Sequence, residues 1–412
     1  MTFAKAFNLR KATAAAILLA LIASCDTPSP QQPLPRDPPV PSHHEATALK
    51  IGDFLLALQN EDGAIPDLKG SELVNEDSNM EYALLGLAAA YRFSEKPKYI
   101  LGLEQGIAWL ADREEMSDRR WRGSWYYAFS AKPPYAPVAI PIGPGIVNVR
   151  GVDASSALFV YLLYAHSRIS GSGILADRYE ENARAALDFI IAYNKKTDGS
   201  FSSSWQKWKT DQRWHLWPYC YSADQADVYL GMQAGWLLYG DSRYQSAATG
   251  LAEVVRSKFF SAATQRYALG RDEDGDIDLD FEGFDGIFPQ GYVPWALGNN
   301  SENQAACQWL QSHVDSDGSL SGYGGDPLYS LSIAVYALAA STLGLPSVSK
   351  SFDWLIENNV DAFDGGVRDS AVPGSEKYAN VAGFTIMALL QFPTMLGAVP
   401  GVKSVSANKA NL

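Results

Sequence analysis

The stretch "LLALQNEDGAI", residues 55–65, runs from an apolar helical segment into an Asp-Gly turn. The same pattern returns as "IAYNKKTDGSF" at 191–201, "LQSHVDSDGSL" at 310–320 and "IENNVDAFDGGV" at 356–367. Glycine suits a helix end at which the chain enters the left-handed region, and aspartate before it favours a turn. Two less regular copies, around Gly123 and Gly270, fill the gaps in the series. The turns therefore predict six repeated units between residue 46 and about residue 395.

A second helical stretch follows each turn. Five of these stretches are rich in small and apolar residues on nearly every face, and a helix of that kind is buried. In the fourth unit, Pro294 interrupts a shorter stretch, "FPQGYVPWALGNN". The stretches before the turns, such as "YEENARAALDFIIAYN", alternate charged and apolar faces and belong outside. Six such pairs predict an all-α fold, an (α/α)6 toroid of six helical hairpins, with an open superhelix of hairpins as the alternative. The five apolar stretches are "NMEYALLGLAAAY", "VDASSALFVYLLY", "SADQADVYLGMQAGWLLY", "PLYSLSIAVYALAA" and "NVAGFTIMALL".

Through this periodicity and its Asp-Gly turns, the chain from about residue 46 to 395 resembles the six-hairpin glycosidase-like superfamily. The turns also resemble the repeats of terpenoid cyclases and prenyltransferases. However, the Asp-X-Asp-Asp motif of the cyclases and the Cys/His zinc ligands of protein prenyltransferases are missing from the sequence. The glycosidase resemblance implies a funnel at one end of the toroid, lined by the N-terminal ends of inner helices and by the loops that lead to them.

Asp224 and Asp227 lie three residues apart at the start of the third inner stretch. Glu81, Asp153 and Asp326 occupy similar early positions in other units, where an acidic residue often serves only to cap the helix. Asp227 lies too far inside the helix to be a cap, so its carboxyl group needs a hydrogen-bond partner or a solvated pocket. Spacing i, i+3 puts both aspartates on one helix face, where repulsion would raise one pKa into the range of a general acid.

Glycoside cleavage needs two carboxyl groups about 5–9.5 Å apart. Candidate catalytic residues are therefore Asp224, Asp227 and Asp153, with Glu282, Asp285 and Glu76 as further acids near the expected funnel.

Aromatic residues crowd two of the loops that precede inner stretches, "WRGSWYY" and "SSSWQKWKTDQRWHLWPYCY". Aromatic rings with a polar edge stack on sugar faces, although many of these rings could equally belong to the core. The candidate substrate-binding residues are Trp125, Tyr126, Trp205, Trp208, Trp214, Trp217, Tyr219 and Tyr221.

The segment "GRDEDGDIDLDFEGFDG", residues 270–286, carries aspartates at alternating positions around Gly275. Calcium takes oxygen ligands from such loops, but the match to an EF-hand loop is partial because its first and last positions would fall on Gly270 and Phe281. We expect either a calcium site or a solvated acidic turn, and no other cofactor. The candidate metal ligands are Asp272, Asp274, Asp276 and Asp278.

The first 24 residues are typical of a targeting segment, because Lys5, Arg10 and Lys11 precede an apolar run that ends in small residues and Cys25. "LIASC" resembles a bacterial lipobox, which implies cleavage before Cys25 and lipidation of its sulfur. Ordinary secretion with an incidental cysteine is the alternative. We therefore expect a lipid-anchored protein of the bacterial cell envelope, on the periplasmic or extracellular face.

The expected domains are a signal peptide (1–24), a Pro-rich linker (25–45), the toroid (46–396) and a flexible tail (397–412). In the linker, His43 and His44 are expected to be solvated. Loss of the signal peptide removes three positive charges, so the formal net charge moves from −13 to −16. Such an acidic chain is a poor partner for nucleic acid. Cys220 and Cys307 could form a disulfide if the fold brings them together.

These patterns together predict a carbohydrate-active enzyme, a glycoside hydrolase with paired carboxylates, whose partners are a carbohydrate or polysaccharide and the membrane that holds the anchor. A glycan-binding lipoprotein without activity is one alternative. A polysaccharide lyase is another, with His215, Tyr219 and Arg213 as its candidate residues.

Overall fold

The computed structural model describes residues 42–279, 283–320, 329–345 and 348–396. The predictions for Cys25, for Glu282 and Asp326, and for the tail lie outside these ranges. Thirteen α-helices lie within them: α1 Ser42–Leu58, α2 Asn79–Ser94, α3 Pro97–Arg113, α4 Asp153–Ser170, α5 Ile174–Arg178, α6 Glu180–Tyr193, α7 Ser222–Tyr239, α8 Ser242–Val254, α9 Gly283–Leu297, α10 Ser301–Gln311, α11 Ser330–Leu343, α12 Ser349–Asn359 and α13 Ala379–Leu389.

Six helices, α2, α4, α7, α9, α11 and α13, form an inner ring in which each contacts the next and α13 contacts α2. The other long helices pack outside them, one before each inner helix along the chain. The predicted (α/α)6 toroid is confirmed, and the open superhelix is wrong because the ring closes. Even the fourth inner helix, α9, continues through Pro289 and Pro294.

Small residues let neighbouring inner helices approach closely. A Cβ added at Gly86 of α2 would lie 2.6 Å from the Cα of Gly383 on α13. On α7, a Cβ at Gly231 would lie 2.6 Å from the Cα of Ala157 on α4. These contacts explain why the inner stretches are rich in glycine and alanine as well as apolar.

The Asp-Gly turns dock onto the next outer helix around the ring. A Cβ at Gly123 would lie 2.0 Å from the carbonyl oxygen of Ala185 on α6, and one at Gly365 would lie 2.7 Å from that of Lys50 on α1. The last turn therefore packs on the first helix. In the fourth unit the prediction is wrong: Gly270 lies in a strand, and Gln265, with a φ of 57°, takes the left-handed turn position.

Short strands occupy the connections from outer to inner helices, so they lie at the end of the toroid where the inner helices begin. β3, β4 and β5 form one antiparallel sheet, in which Arg150 pairs with Trp205. A second sheet has the order β10, β9, β6. The strands are β1 Leu73–Val74, β2 Phe129–Ser130, β3 Ile146–Arg150, β4 Trp205–Trp208, β5 Trp214–Leu216, β6 Cys220–Tyr221, β7 Phe260–Ser261, β8 Arg266–Tyr267, β9 Gly270–Arg271 and β10 Ile277–Asp278.

The first helix begins earlier than the sequence predicts, inside the segment assigned to the linker. His44 is fully buried there, and the Nε2 atoms of His43 and His44 lie 2.9 and 2.8 Å from Oδ1 of Asp353 on α12. The prediction that both histidines are solvated is therefore wrong for His44. Cys220 and Cys307 are buried and unpaired. Within the described ranges, every helix is too short or too polar to cross a bilayer.

Candidate active site

Two adjoining cavities open at the end of the toroid where the inner helices begin. The central cavity, about 350 Å³, is lined by residues from all six inner helices and from the loops before them. The lateral cavity, about 660 Å³, lies against the sheet of β3 and β4 and the segment from 142 to 146. Asp77, Ser203 and Tyr221 line both cavities, so these residues lie between the two.

Asp77 faces both cavities, although sequence reasoning did not select it. Its side chain is exposed to this space, and it lies in the loop that leads to α2. The backbone of this loop is left-handed at three positions other than glycine: Asn75, Asp77 and Ser78, with φ values of 57°, 50° and 67°. Such conformations cost free energy and persist only where their surroundings enforce them.

Hydrogen bonds to neighbouring segments hold this loop in place. Asn75 accepts from the backbone N–H of Met80 at 3.0 Å and donates to Oε1 of Glu81 at 3.1 Å. The backbone N–H of Glu76 donates to Asp67 at 3.2 Å, and that of Asp77 donates to the carbonyl oxygen of Tyr127 at 3.2 Å. The loop thus presents Asp77 to the cavities from a fixed position.

The acids beneath the loop have raised pKa values. Burial raises the pKa of Asp67 to about 7, against the lowering effect of the hydrogen bond from Glu76. Burial raises the pKa of Glu81 to about 8, because the bond from Asn75 offsets only part of the desolvation. Oε2 of Glu81 is buried without a hydrogen-bond partner. Glu81 is therefore a buried support of the loop at the first turn of α2, and burial favours its protonated form.

Asp224, in the first turn of α7, lines the central cavity and is partly exposed to it. Desolvation raises its pKa to about 7, the negative charge of Asp77 adds to this, and a hydrogen bond with the side chain of Ser203 opposes it. Desolvation, followed by the charge of Glu76, raises the pKa of Asp77 to about 6. Both carboxyl groups thus titrate close to neutrality.

The other two predicted catalytic aspartates lie behind the cavity wall. Asp227 is fully buried, with one oxygen accepting from the hydroxyl of Tyr82 at 2.7 Å and the other from the hydroxyl of Tyr292. Asp153 is fully buried at the start of α4, where Oδ1 accepts from the N–H of Ala154 and Oδ2 has no partner. Desolvation raises the pKa of both well above the usual range. Neither lines either cavity.

The predicted sugar-binding aromatics divide into two groups. Trp208, Trp217 and Tyr221 line the cavities, and Trp208 is 42% exposed. The others pack against protein. Trp125 is 1% exposed and donates to the carbonyl oxygen of Leu110, so the structure places it in the core instead of a binding site.

The remaining four aromatic residues contact one another or nearby side chains. Trp205 and Trp214 meet the ring of Trp121 edge-on. Tyr126 lies under the guanidinium of Arg150, and Tyr219 packs on Tyr221. None of the four lines either cavity.

The acidic segment forms a hairpin of β9 and β10. Asp272 accepts from the N–H of Asp276 at 2.9 Å, and Asp278 lies 3.5 Å from the hydroxyl of Tyr219. Over the described part, its carboxylates do not form a group of three with ligand atoms within 4.8 Å of one another. Calcium binding by Asp272, Asp274, Asp276 and Asp278 stays a prediction.

His43, His44 and Asp353 do form such a group. Nδ1 of His44 is buried without a partner, whereas a metal-bound histidine usually donates through its second nitrogen. The hydrogen bonds to Asp353 account for this cluster without a metal.

No protein-family model matches the sequence, and no curated protein matches it. Solved structures are similar in fold. Cellobiose 2-epimerase from Bacillus thermoamylovorans superposes with a TM-score of 0.63 at 13% identity, over 84% of this chain and 98% of that one. The chain shares its fold, the closed (α/α)6 toroid of six helical hairpins, with this protein. Unsaturated glucuronyl hydrolase from Bacillus sp. GL1 gives a TM-score of 0.59 at 12% identity, over 84% of this chain and 96% of that one. D-mannose isomerase superposes with a TM-score of 0.62 at 12% identity, over 88% of this chain and 99% of that one.

At these identities the similarity establishes the six-hairpin fold alone. Within that fold, the connection into the first inner helix is one of the loops that reach the mouth of the ring. The sequence does place an acid pair, "ED" at 76–77, just before α2, and this position could have indicated a residue of the site. Only the left-handed backbone decides that Asp77 faces the cavities while its neighbour Glu76 is partly buried.

Proposed function

We propose that this protein is a glycoside hydrolase in which Asp77 and Asp224 form the acid and base pair. One observation carries the proposal: both carboxyl groups line the central cavity, Asp77 from the left-handed loop before α2 and Asp224 from the first turn of α7, and the pKa values of both are raised. Two interacting carboxyl groups with raised pKa values can share one proton near neutral pH. Glycoside cleavage uses one protonated and one ionised carboxyl group.

We assign the proton to Asp224, because it is the less exposed of the two and the negative charge of Asp77 raises its pKa. Asp224 would then protonate the leaving oxygen, while Asp77 would act as base or nucleophile. Tyr221 and Ser203, which lie between the two cavities, would contact the sugars on either side of the bond to be cleaved.

Isomerases and epimerases share this fold, but the chemistry of this site favours hydrolysis. Moving a proton on a sugar carbon calls for a base, most often histidine, held against the substrate. The five histidines of the chain lie at 43, 44, 166, 215 and 313, all within the described ranges, and none lines either cavity.

The lyase alternative is weakened by the location of its candidate residues. His215 lies 2.9 Å from Asp211, and its ring packs on Trp208. Neither His215, Arg213 nor Tyr219 lines a cavity. Glycan binding without activity would use Trp208 and Trp217 equally well, but it gives no reason for two cavity carboxyl groups with raised pKa values.

The test is a screen of the purified full chain against neutral and acidic glycans, followed by Asp77→Asn and Asp224→Asn on any substrate that is cleaved. Each variant should lower turnover by roughly 100-fold or more, the effect of a lost acid or base group. Glu357→Gln, an exposed acid on the outer helix α12, is the matched control and should have no effect. Full activity in both variants would refute the pair. Binding without cleavage across the panel would favour a glycan-binding protein.

We also propose that Cys25 carries a lipid anchor and that the toroid acts in the bacterial cell envelope. The order of basic residues, apolar run, small residues and cysteine supports this. Cys25→Ala should move the protein from the detergent phase to the aqueous phase in a Triton X-114 partition. Unchanged partitioning would contradict the anchor.

Calcium binding at the acidic hairpin is a further proposal, supported by its alternating aspartates. Millimolar calcium should raise the melting temperature of the full chain, and Asp274→Asn should reduce that rise. Identical melting curves with calcium and with a chelator would leave the hairpin as a solvated turn.

A further inference from the structure

The charges that face the two cavities are all of one sign. Among the described residues that line the central cavity, the charged side chains are Asp77, Asp224 and Asp285. Along the lateral cavity, Asp77 is the charged residue. The internal segments outside the described ranges, 280–282, 321–328 and 346–347, contain no Lys, Arg or His in the sequence. A ligand in these cavities therefore meets carboxyl groups and neutral polar groups.

Arg150, one of the cations near the lateral cavity, is turned away from it. Lys207 and Lys209 alternate along the chain with the lining residues Gln206, Trp208 and Thr210 but do not themselves line the cavity. Arg150 lies on β3, one residue after the cavity-lining Val149. Its guanidinium lies over the rings of Tyr126 and Trp121, at 4.2 and 4.8 Å from their centroids, and it pairs with Glu115 at 3.3 Å. Arg150 is also 4% exposed. Arg150 is therefore held by Glu115 and the two rings, away from the cavity, although its Nε is buried without a hydrogen-bond partner.

The neutral groups that face the cavities suit hydroxyl-rich, uncharged ligands. Amide and hydroxyl side chains offer donors and acceptors without charge, and aromatic rings offer faces for sugar stacking. The lining residues with amide or aliphatic hydroxyl groups are Ser78, Asn79, Asn380, Ser203, Ser204, Gln206 and Thr210, and Tyr82, Tyr127 and Tyr221 add phenol hydroxyls. Trp208 and Trp217 form part of the lateral wall, so the wider space can hold the apolar face of a further sugar unit.

We propose that the substrate is an uncharged oligosaccharide that spans both cavities, and that the site rejects sugars bearing a carboxylate. This inference rests on the proposed function for its reaction, but the charge preference applies to binding as well. A uronate placed in the central cavity would put a further negative group close to Asp77 and Asp285, while Asp224 holds its proton. Like charges removed from water repel strongly, and a carboxylate would find no cation among the lining residues described.

The first arm of the test compares matched substrates that differ only in the sugar carboxylate. The pairs are 4-nitrophenyl glucoside and glucuronide, and galactoside and galacturonide, in both anomers, with the full chain. We expect kcat/KM for the best neutral glycoside to exceed that of its uronide by roughly 100-fold or more, as like-charge repulsion predicts. A uronide cleaved as fast as its neutral counterpart would overturn the inference while leaving the hydrolase proposal intact.

The second arm changes the charge of the wall. Asp285→Asn removes one of the three carboxylates, so the ratio of neutral to uronide kcat/KM should fall several-fold. Glu357→Gln removes an exposed charge on α12 and should leave the ratio unchanged. Melting curves for both variants check that folding is intact. An equal change of the ratio in both variants, or in neither, would contradict a local electrostatic cause.

The third arm measures binding, so that failure of the hydrolase proposal can be separated from failure of this inference. Calorimetry of the Asp224→Asn variant would compare cellotetraose, maltotetraose and mannotetraose with tetragalacturonate. Binding of a neutral tetrasaccharide without cleavage by the wild-type protein would support the inference and refute the hydrolase. Tighter binding of tetragalacturonate, or no binding of any probe, would refute the inference.

Discussion

Asp224 and Asp227 lie one turn apart on α7, yet their surroundings are opposite. Asp224 is partly exposed to the central cavity, with a pKa of about 7. Asp227 has no exposed surface, and its two oxygens accept hydrogen bonds from Tyr82 of α2 and Tyr292 of α9. One residue can meet a substrate, and the other joins three inner helices.

The difference shows how steeply the environment changes with depth along an inner helix of this ring. At the first turn, a carboxyl group faces the open end of the toroid. One turn further in, the inner helices enclose it, and only hydrogen bonds from neighbouring helices can compensate for the lost water. Sequence spacing puts the two aspartates on one face, but it does not show which of them the cavity reaches.

Conversion of each aspartate to asparagine tests whether Asp224 and Asp227 have different roles. Asp224→Asn should lower turnover by roughly 100-fold or more, because the proton donor is lost. Asp227→Asn keeps the shape and one acceptor oxygen, so turnover should stay within about threefold of wild type. Steady-state kinetics on a cleaved glycoside measures both. Equal losses in the two variants would show that Asp227 also takes part in the chemistry.

A larger change at Asp227 tests its structural role. Asp227→Ala leaves the hydroxyls of Tyr82 and Tyr292 buried without their acceptor, so the free energy of unfolding should fall by roughly 2–4 kcal/mol. A triple variant that combines Asp227→Ala with Tyr82→Phe and Tyr292→Phe removes both donors as well and should recover part of that loss. Urea unfolding measures the differences. If Asp227→Ala is as stable as the wild-type protein, the hydrogen bonds between the helices are not important for stability.

The protonated acids under the Asp77 loop predict a pH dependence of stability. Above pH 4.5, the usual pKa of a glutamate, the unfolded chain ionises Glu81, whereas the folded protein keeps the proton up to about pH 8. The unfolded state then binds fewer protons, so stability falls as the pH rises through this window, by about 1.4 kcal/mol per pH unit for such a group.

Glu81→Gln should remove the share of this slope that belongs to Glu81, so the variant gains stability relative to wild type between pH 5 and pH 8. The exposed Glu357→Gln serves as control and should keep the wild-type slope. Thermal unfolding at several pH values gives the comparison. Parallel curves for the wild-type protein and Glu81→Gln would show that Glu81 is ionised in the folded state.

Two tryptophans that lie three residues apart on β4, Trp205 and Trp208, should respond differently to substitution by alanine. Trp208 faces the lateral cavity, so Trp208→Ala should raise KM roughly tenfold with little change in melting temperature. Trp205 packs against Trp121, so Trp205→Ala should lower the melting temperature and leave KM nearly unchanged. A rise in KM for Trp205→Ala alone would place the sugar on the opposite face of the sheet.

Much of the fold could be predicted from the sequence because the repeat imposes a physical requirement at each turn. Five turns have a glycine with a left-handed backbone: Gly63, Gly123, Gly199, Gly318 and Gly365. At all of these except Gly199, an added Cβ would also clash with the next outer helix. The turn of the fourth unit was predicted at Gly270 instead of Gln265, because Gln265 adopts the left-handed conformation although it is not a glycine.

The site could be predicted only in part. Asp224 follows from its position at the start of an inner helix, and it lies where the resemblance implied. Asp77 was missed because its orientation comes from the left-handed backbone of Asn75–Ser78, which depends on contacts with Asp67, Glu81 and Tyr127 from other parts of the chain. Trp125 and Trp208 have the same chemistry in sequence, and only the packing shows that one is core and the other faces the cavity.

The docking of Gly365 onto Lys50 of α1 has a consequence for synthesis on the ribosome. The first helix leaves the exit tunnel hundreds of residues before the turn that packs on it. In the same way, α2 is synthesised long before α13, the inner helix that it contacts. Chains generally fold from the N-terminus as they emerge, so the growing ring keeps an open apolar edge until its last hairpin arrives. A nascent chain stalled after α12 would therefore expose the inner faces of its first two helices and would need a chaperone to stay soluble.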